Sequence, residues 1–170
     1  MRSGARPGDL IYVTGELGAG SAALHELLAG RPARPADFPR HFCPVPRVAI
    51  GKVLRAKGLA TAMIDLSDGL STDLAHVCDE SRIGAKIFAS SLPRARVGRK
   101  KQRVSLDLAL HGGEDYELLF TAPRGKRLPS KIAGVPITCI GRVTRTRAIL
   151  LTGENGSTKR LQAKGWEHFR

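Results

Sequence analysis

Asp65, Ser67 and Asp68 stand together in AMIDLSDGLSTDLAHVC, residues 62–78, where an apolar run gives way to a helically periodic one. A carboxylate inside an apolar run is costly to desolvate unless it is paired, hydrogen-bonded or metal-bound. Asp65 therefore asks for a partner. Magnesium takes oxygen ligands in an octahedral shell, usually one or two carboxylates with water and phosphate oxygens completing it. Asp65 and Asp68 meet that need, and Ser67 offers a hydroxyl donor to phosphate. The helix expected just beyond adds unpaired N–H groups and partial positive charge. If the strand continues, alternation puts Asp65 and Ser67 on one side, with Asp68 at the bend that Gly69 permits. Two blander readings stay open: Asp68 or Ser67 is the N-cap of the helix, or the acids pair with some of the many arginines.

A second acidic cluster lies in HGGEDYELLF, residues 111–120. Its glycines leave room for a ligand beside Glu114 and Asp115, which either contact a polar substrate or metal or sit exposed in a turn. Glu117 is expected to have a basic neighbour. GELGAG, residues 15–20, follows a strand and precedes a helix, a context that can cradle phosphate, but it is neither GxGxxG nor a Walker A. A tight turn is the favoured reading. Trp166, the one tryptophan, suits stacking on a planar ring or a place in the core. The five histidines form no HxH or HExxH pattern, and no GxSxG elbow is present, so serine-based hydrolysis has little support.

These residues need a scaffold, and 170 residues with 42% hydrophobic content suffice for one domain with a core. DLIYVT at 9–14, TAMIDLS at 61–67, AKIFAS at 85–90, Tyr116 to Phe120, VPITCIGRV and RAILLTG read as strands. Helices are expected in SAALHELLAG, with Leu24, Leu27 and Leu28 on one face, from Pro46 to Gly58 around Ile50, Val53 and Leu54, and through Leu70, Leu74 and Val77. Residues 31–44 read as loop, and Asn155–Gly156 as a hairpin turn. Mixed α/β order without strict βαβ regularity predicts a mixed sheet packed against helices.

Lys plus Arg number 28 against 15 Asp plus Glu, a formal net charge of +13, which attracts anions of any size. RARVGRKKQR, residues 94–103, carries six of those positive charges and no aromatic residue, which favours a solvated loop over nucleic-acid contact. Cys43, Cys78 and Cys139 have no metal-ligand spacing, and no apolar run reaches the roughly 18 residues of a membrane span. A reduced, cytoplasmic chain filling apolar space with its cysteines is expected. The opening RSGARPGD reads as though the chain starts inside a longer protein.

The chain resembles the C-terminal part of thiamine-monophosphate kinase, within the aminoimidazole ribonucleotide synthetase-like superfamily of ATP-binding proteins. The matching stretches are GARPGDLIYVTGELGAGSAAL at 4–24, PVPRVAIGKVL at 44–54, AMIDLSDGLSTDLAHV at 62–77, ALHGGEDYELLFT at 109–121 and GW with HF at 165–169. The resemblance implies transfer of the γ-phosphoryl group of ATP to thiamine monophosphate. It implies Mg2+ at Asp65 and Asp68, ATP contact by Ser67, and substrate contact by Glu114 and Trp166. It also implies that residues 1–170 are a single C-terminal domain, that an N-terminal ATP-binding domain is absent, that the full-length protein is a homodimer formed mainly through that domain, and that the chain alone has little or no kinase activity. The alternatives are another ATP-using member of the superfamily, or a basic nucleic-acid or interaction module without catalysis.

Overall fold

A computed structural model describes residues 1–165. The strands are β1 (Leu10–Thr14), β2 (Ala62–Asp65), β3 (Gly84–Phe88), β4 (Arg96–Val97), β5 (Gln102–Arg103), β6 (Leu118–Ala122), β7 (Lys131–Ile132), β8 (Val135–Thr144), β9 (Ile149–Thr152) and β10 (Thr158–Arg160). The helices are α1 (Ala19–Leu28), α2 (Pro39–Phe42), α3 (Val48–Ala56), α4 (Leu70–Ser81) and α5 (Leu106–His111). The main sheet runs β10-β9-β3-β8-β1-β6-β2, with β7 beside β8 and β4–β5 as a separate hairpin. Pairing is antiparallel except between β3 and β9. The expected mixed sheet packed against helices is what forms.

Alternation along the central strands builds two cores. Ile11 and Val13 of β1, Ala62 and Ile64 of β2 and Leu119 of β6 join α1, α4 and α5 in the larger cluster. Their neighbours Tyr12, Met63 and Phe120 turn to the opposite face and pack with Ile50 and Leu54 of α3, as a two-residue period requires. Tyr12 and Phe120 stack there with ring centroids 5.4 Å apart.

Several expectations change. In α1 the buried residues are Ala19, Gly20, Ala22 and Ala23, while Leu24, Leu27 and Leu28 are 40%, 45% and 78% exposed. Small residues win that face because the helix lies directly on the 112–114 turn; a Cβ on Gly20 would come within 2.6 Å of the Glu114 carbonyl oxygen. The strand expected from Tyr116 starts at Leu118. Residues 31–44 include α2, and the basic segment forms the β4–β5 hairpin. Cys78 is buried and its thiol is pushed up to about 12 by burial, whereas Cys43 and Cys139 are exposed, not apolar filling.

Candidate functional site

Two loops meet at the ends of β2 and β6. Leu66 N–H donates to the Glu117 carbonyl at 2.8 Å, Tyr116 N–H to Leu66 O at 2.9 Å, and Glu114 N–H to Ser67 O at 2.9 Å. The loop after β2 and the loop before β6 are thus zipped together, backbone against backbone. Such closeness explains the double glycine, since a Cβ on Gly113 would come within 2.6 Å of Ser67 O. Gly69 has φ 111° and faces the His111 main chain, 2.9 Å from where its Cβ would stand. Glu114 and Tyr116 hold left-handed φ values of 65° and 50°, a strained conformation for side-chain-bearing residues that concentrates at ligand sites.

The zipped loops form one wall of a cleft of about 430 Å³, lined by Ser67, Asp68, His111, Glu114, Tyr116 and Lys164. Leu24 supplies apolar surface on the α1 side. Ser67 hydroxyl donates to Asp68 Oδ1 at 3.2 Å. Glu114 is half-exposed, with Oε2 3.7 Å from His41 Nδ1, a ring nitrogen with no hydrogen-bond partner among the described residues. Burial pushes the His111 imidazole below its usual value, with Lys164 and Lys159 acting the same way against Asp107.

The sequence-derived residues divide. Ser67, Asp68 and Glu114 share the cleft, but Asp65 lines the adjoining cavity of about 420 Å³ with Arg47, Pro46 and Leu118. Tyr116 lines both cavities. The strand ends at Asp65, so alternation does not carry through to Ser67. Trp166 lies outside the described residues. Neither Asp65 nor Asp68 forms an ion pair among the described residues. The N-cap reading also changes. Gly69 is the N-cap, and Asp73 in the first turn of α4 accepts the amides of both Asp68 and Gly69 at 3.1 Å. Burial, reinforced by nearby Asp68, pushes the Asp73 carboxyl up to about 6.

As a test of magnesium, the available donors are the oxygens of Asp65, Asp68 and Ser67. Their chemistry suits the ion, whose shell water and phosphate usually complete, but Asp65 and Asp68 line adjoining cavities rather than one. No group of three or more His, Cys, Asp or Glu suited to a metal ion occurs among the described residues.

The glycine-rich turn after β1 has another occupant. Asp115 accepts from Gly18 N–H at 2.7 Å and Gly20 N–H at 3.3 Å, so amides that suit phosphate already hold a carboxylate. Burial pushes Asp115 up to about 6 against those hydrogen bonds. Beside it, Glu117 is 1% exposed and accepts from Arg47 Nε and Nη2 at 2.8 and 2.7 Å, from Arg40 Nη1 at 3.4 Å, and from the Thr14 hydroxyl. The basic neighbour expected for Glu117 is this pair of arginines. Sequence reasoning missed His111, Tyr116 and Lys164 as cleft residues, and His41 as a neighbour of Glu114. His111 and Tyr116 flank GGED and were within reach, whereas His41 and Lys164 carry no local signal.

The family model described as AIR synthase related protein, C-terminal domain, matches residues 6–151, and the chain belongs to that family. More particularly, it is 44% identical to thiamine-monophosphate kinase of Escherichia coli strain K12 over 99% of this chain and 54% of that protein. It superposes on the crystal structure of thiamine-monophosphate kinase from Stenotrophomonas maltophilia K279a with TM-score 0.77 and 35% identity, covering 92% of this chain and 53% of that one. On AaThiL complexed with AMPPCP and TMP the TM-score is 0.79 and the identity 34%, covering 99% and 53%. The chain spans about half the length of the curated relatives it matches.

Proposed function

We propose that this chain is the C-terminal domain of a thiamine-monophosphate kinase, transferring the γ-phosphoryl group of ATP to the phosphate of thiamine monophosphate together with an N-terminal ATP-binding domain. The observation that carries the reading is the convergence of Ser67, Asp68 and Glu114 on one cleft, in a chain 44% identical to such a kinase. That identity favours the thiamine branch over other ATP-using members of the superfamily. Assembly as a homodimer through the N-terminal half and a cytoplasmic location belong to the same proposal. Among the described residues no helix is long and apolar enough to cross a membrane.

The chemistry asks little of acid–base groups. The nucleophile is a phosphate oxygen already ionised at neutral pH, so the protein's task is positioning and charge compensation. Asp65 and Asp68 would hold Mg2+, which when bound supplies positive charge to offset repulsion between the two phosphates. Ser67 donates its hydroxyl to a nucleotide phosphate. Glu114, held on a left-handed backbone, contacts the substrate, and Trp166 packs against its thiamine portion. The Gly112–Gly113 turn keeps these groups at fixed separation by removing side chains from between the loops.

Fusing this chain behind the N-terminal half of the Escherichia coli relative provides the test. The fusion is expected to form thiamine diphosphate from thiamine monophosphate and ATP in the presence of magnesium. Turnover of ATP with only an unrelated acceptor would remove the substrate assignment. The nucleic-acid alternative draws on Arg99, Lys100 and Lys101, which are exposed and without ion pairs among the described residues. It predicts salt-dependent oligonucleotide binding that these residues, and not Asp65 or Asp68, control.

A further inference from the structure

The sheet keeps one half of its second face open. α3 closes that face over β1, β2, β6 and the first half of β8, where Tyr12, Met63, Phe120 and Ile137 pack with Ile50 and Leu54. Past that point, Phe88 of β3 and Leu150 of β9 belong to neither apolar cluster. Alternation turns Ala85, Ile87, Val143 and Leu151 into the larger core and their neighbours outward.

Those neighbours include a row of cations. Register aligns Arg160 of β10 with Leu150 of β9, Leu150 with Lys86 of β3, and Lys86 with Arg142 of β8. Arg142 and Arg160 are exposed and Lys86 is half-buried, and none of the three forms an ion pair among the described residues. Three strand spacings separate the ends of the row, roughly 14 Å. Lys86 and Arg142 stand directly opposite each other in an antiparallel pair, where like charges destabilise a sheet. No acidic residue in β3, β8, β9 or β10 relieves them. An anion laid across the strands would.

The surroundings of the row suit one class of anion. Phe88 is two residues on from Lys86, whose ammonium lies 5.9 Å from the ring centroid. Thr152 and Thr158 stand in register with Phe88, their hydroxyls 3.1 Å apart. We infer that this open face binds single-stranded nucleic acid, with phosphates on Arg142, Lys86 and Arg160 and a base against Phe88. Arginine forks match phosphate oxygens two at a time, an aromatic ring stacks on any base, and hydroxyls serve phosphate and sugar oxygens. A row of roughly 14 Å spans about four nucleotides of a stacked strand. An isolated phosphate would use the cations and leave Phe88 idle. This face is separate from the cleft, since β10 and β2 lie at opposite ends of the strand order.

The test is fluorescence anisotropy of a labelled oligothymidylate of about 15 nucleotides, titrated with the 170-residue chain at a series of salt concentrations. The wild-type chain is expected to bind at low salt and to lose affinity steeply as salt rises. Replacing all three cations, Lys86→Gln, Arg142→Gln and Arg160→Gln, should flatten the slope of log K against log salt by about 2, at roughly 0.7 per phosphate contact. Arg160→Gln alone, on the edge strand, should flatten it by about 0.7 and serves if the triple variant does not fold. Phe88→Ala should weaken binding about tenfold with the slope unchanged. Neutralising Arg99, Lys100 and Lys101 on the β4–β5 hairpin should leave most of the affinity. No wild-type binding at low salt, a wild-type slope in the folded sheet variants, or an equal loss from the hairpin variant would overturn the assignment of this face. Competition by polyglutamate as effective as by unlabelled oligonucleotide would overturn nucleic acid as its ligand.

Discussion

Two strand-to-helix junctions of this molecule share one plan and do different things. In each, a strand runs into a glycine-bearing bend, a helix follows, and a carboxylate that is at least partly buried accepts amides at the bend. After β1 that carboxylate is Asp115, delivered from the loop before β6. After β2 it is Asp73, supplied by the first turn of α4 itself. The first junction is thereby closed, its amides spent on locking α1 to the 112–117 loop, with the Glu117–Arg47 pair beside it. The second satisfies its amides from below and leaves the side chains of Ser67 and Asp68 on the cleft. A glycine-rich turn at a helix start is therefore not in itself a phosphate site. What decides is which polar groups the fold leaves unspent.

The largest stability effect should come from the closed junction. Glu117→Ala removes the acceptor of two arginines and Thr14, and chemical denaturation should show a loss of about 3 kcal/mol. Asp115→Ala and Asp73→Ala each strip two amides of their acceptor and should cost about 1–3 kcal/mol by the same measurement. A loss confined to one of the two would break the likeness between the junctions.

The pH dependence sharpens the comparison. Both carboxyls are pushed up to about 6 in the folded chain against an ordinary value of 3.8. Each therefore binds its proton more tightly when folded, and its stabilising contribution, complete below about 4, is lost as pH rises through about 6. Lowering the pH from 7 to 5 should add on the order of 1 kcal/mol per group. His111, held below its usual value, acts with the opposite sign in the same direction of titration. Comparing melting curves of the wild type with the Asp73→Asn, Asp115→Asn double variant isolates the carboxyls; a pH response that survives the double replacement would show that other groups carry it. The smallest effect belongs to the leucines of α1. Leu28 is 78% exposed, so Leu28→Lys should change stability by less than about 0.5 kcal/mol.

The order of elements was legible because strand alternation and helical spacing are local, as in Ile11–Val13 and Leu70–Leu74–Val77. The same reasoning misread α1. Its leucine stripe looked like a core face, but close approach of the 112–114 backbone gave the buried side to alanine and glycine. No local signal reports a neighbour 92 residues away, such as Gly113 beneath Ser21. At the cleft, the unusual density of acids around Asp65, Asp68 and Glu114 was visible from residue type alone. The split of Asp65 from Asp68 was hidden because it depends on where β2 stops. Lys164 reached the cleft only through hydroxyls on α4 that hold its backbone.

The most direct measurement compares thiamine diphosphate formation by the N-terminal fusion carrying Asp68→Asn with that of the fusion carrying Asp115→Asn. Asp68→Asn should lower the magnesium-dependent rate by roughly 100-fold or more with the melting temperature nearly unchanged, and Asp115→Asn should leave the rate within a few-fold. An Asp68→Asn enzyme that keeps most of its rate, or an Asp115→Asn enzyme that folds yet loses it, would contradict the division between a spent junction and an open one.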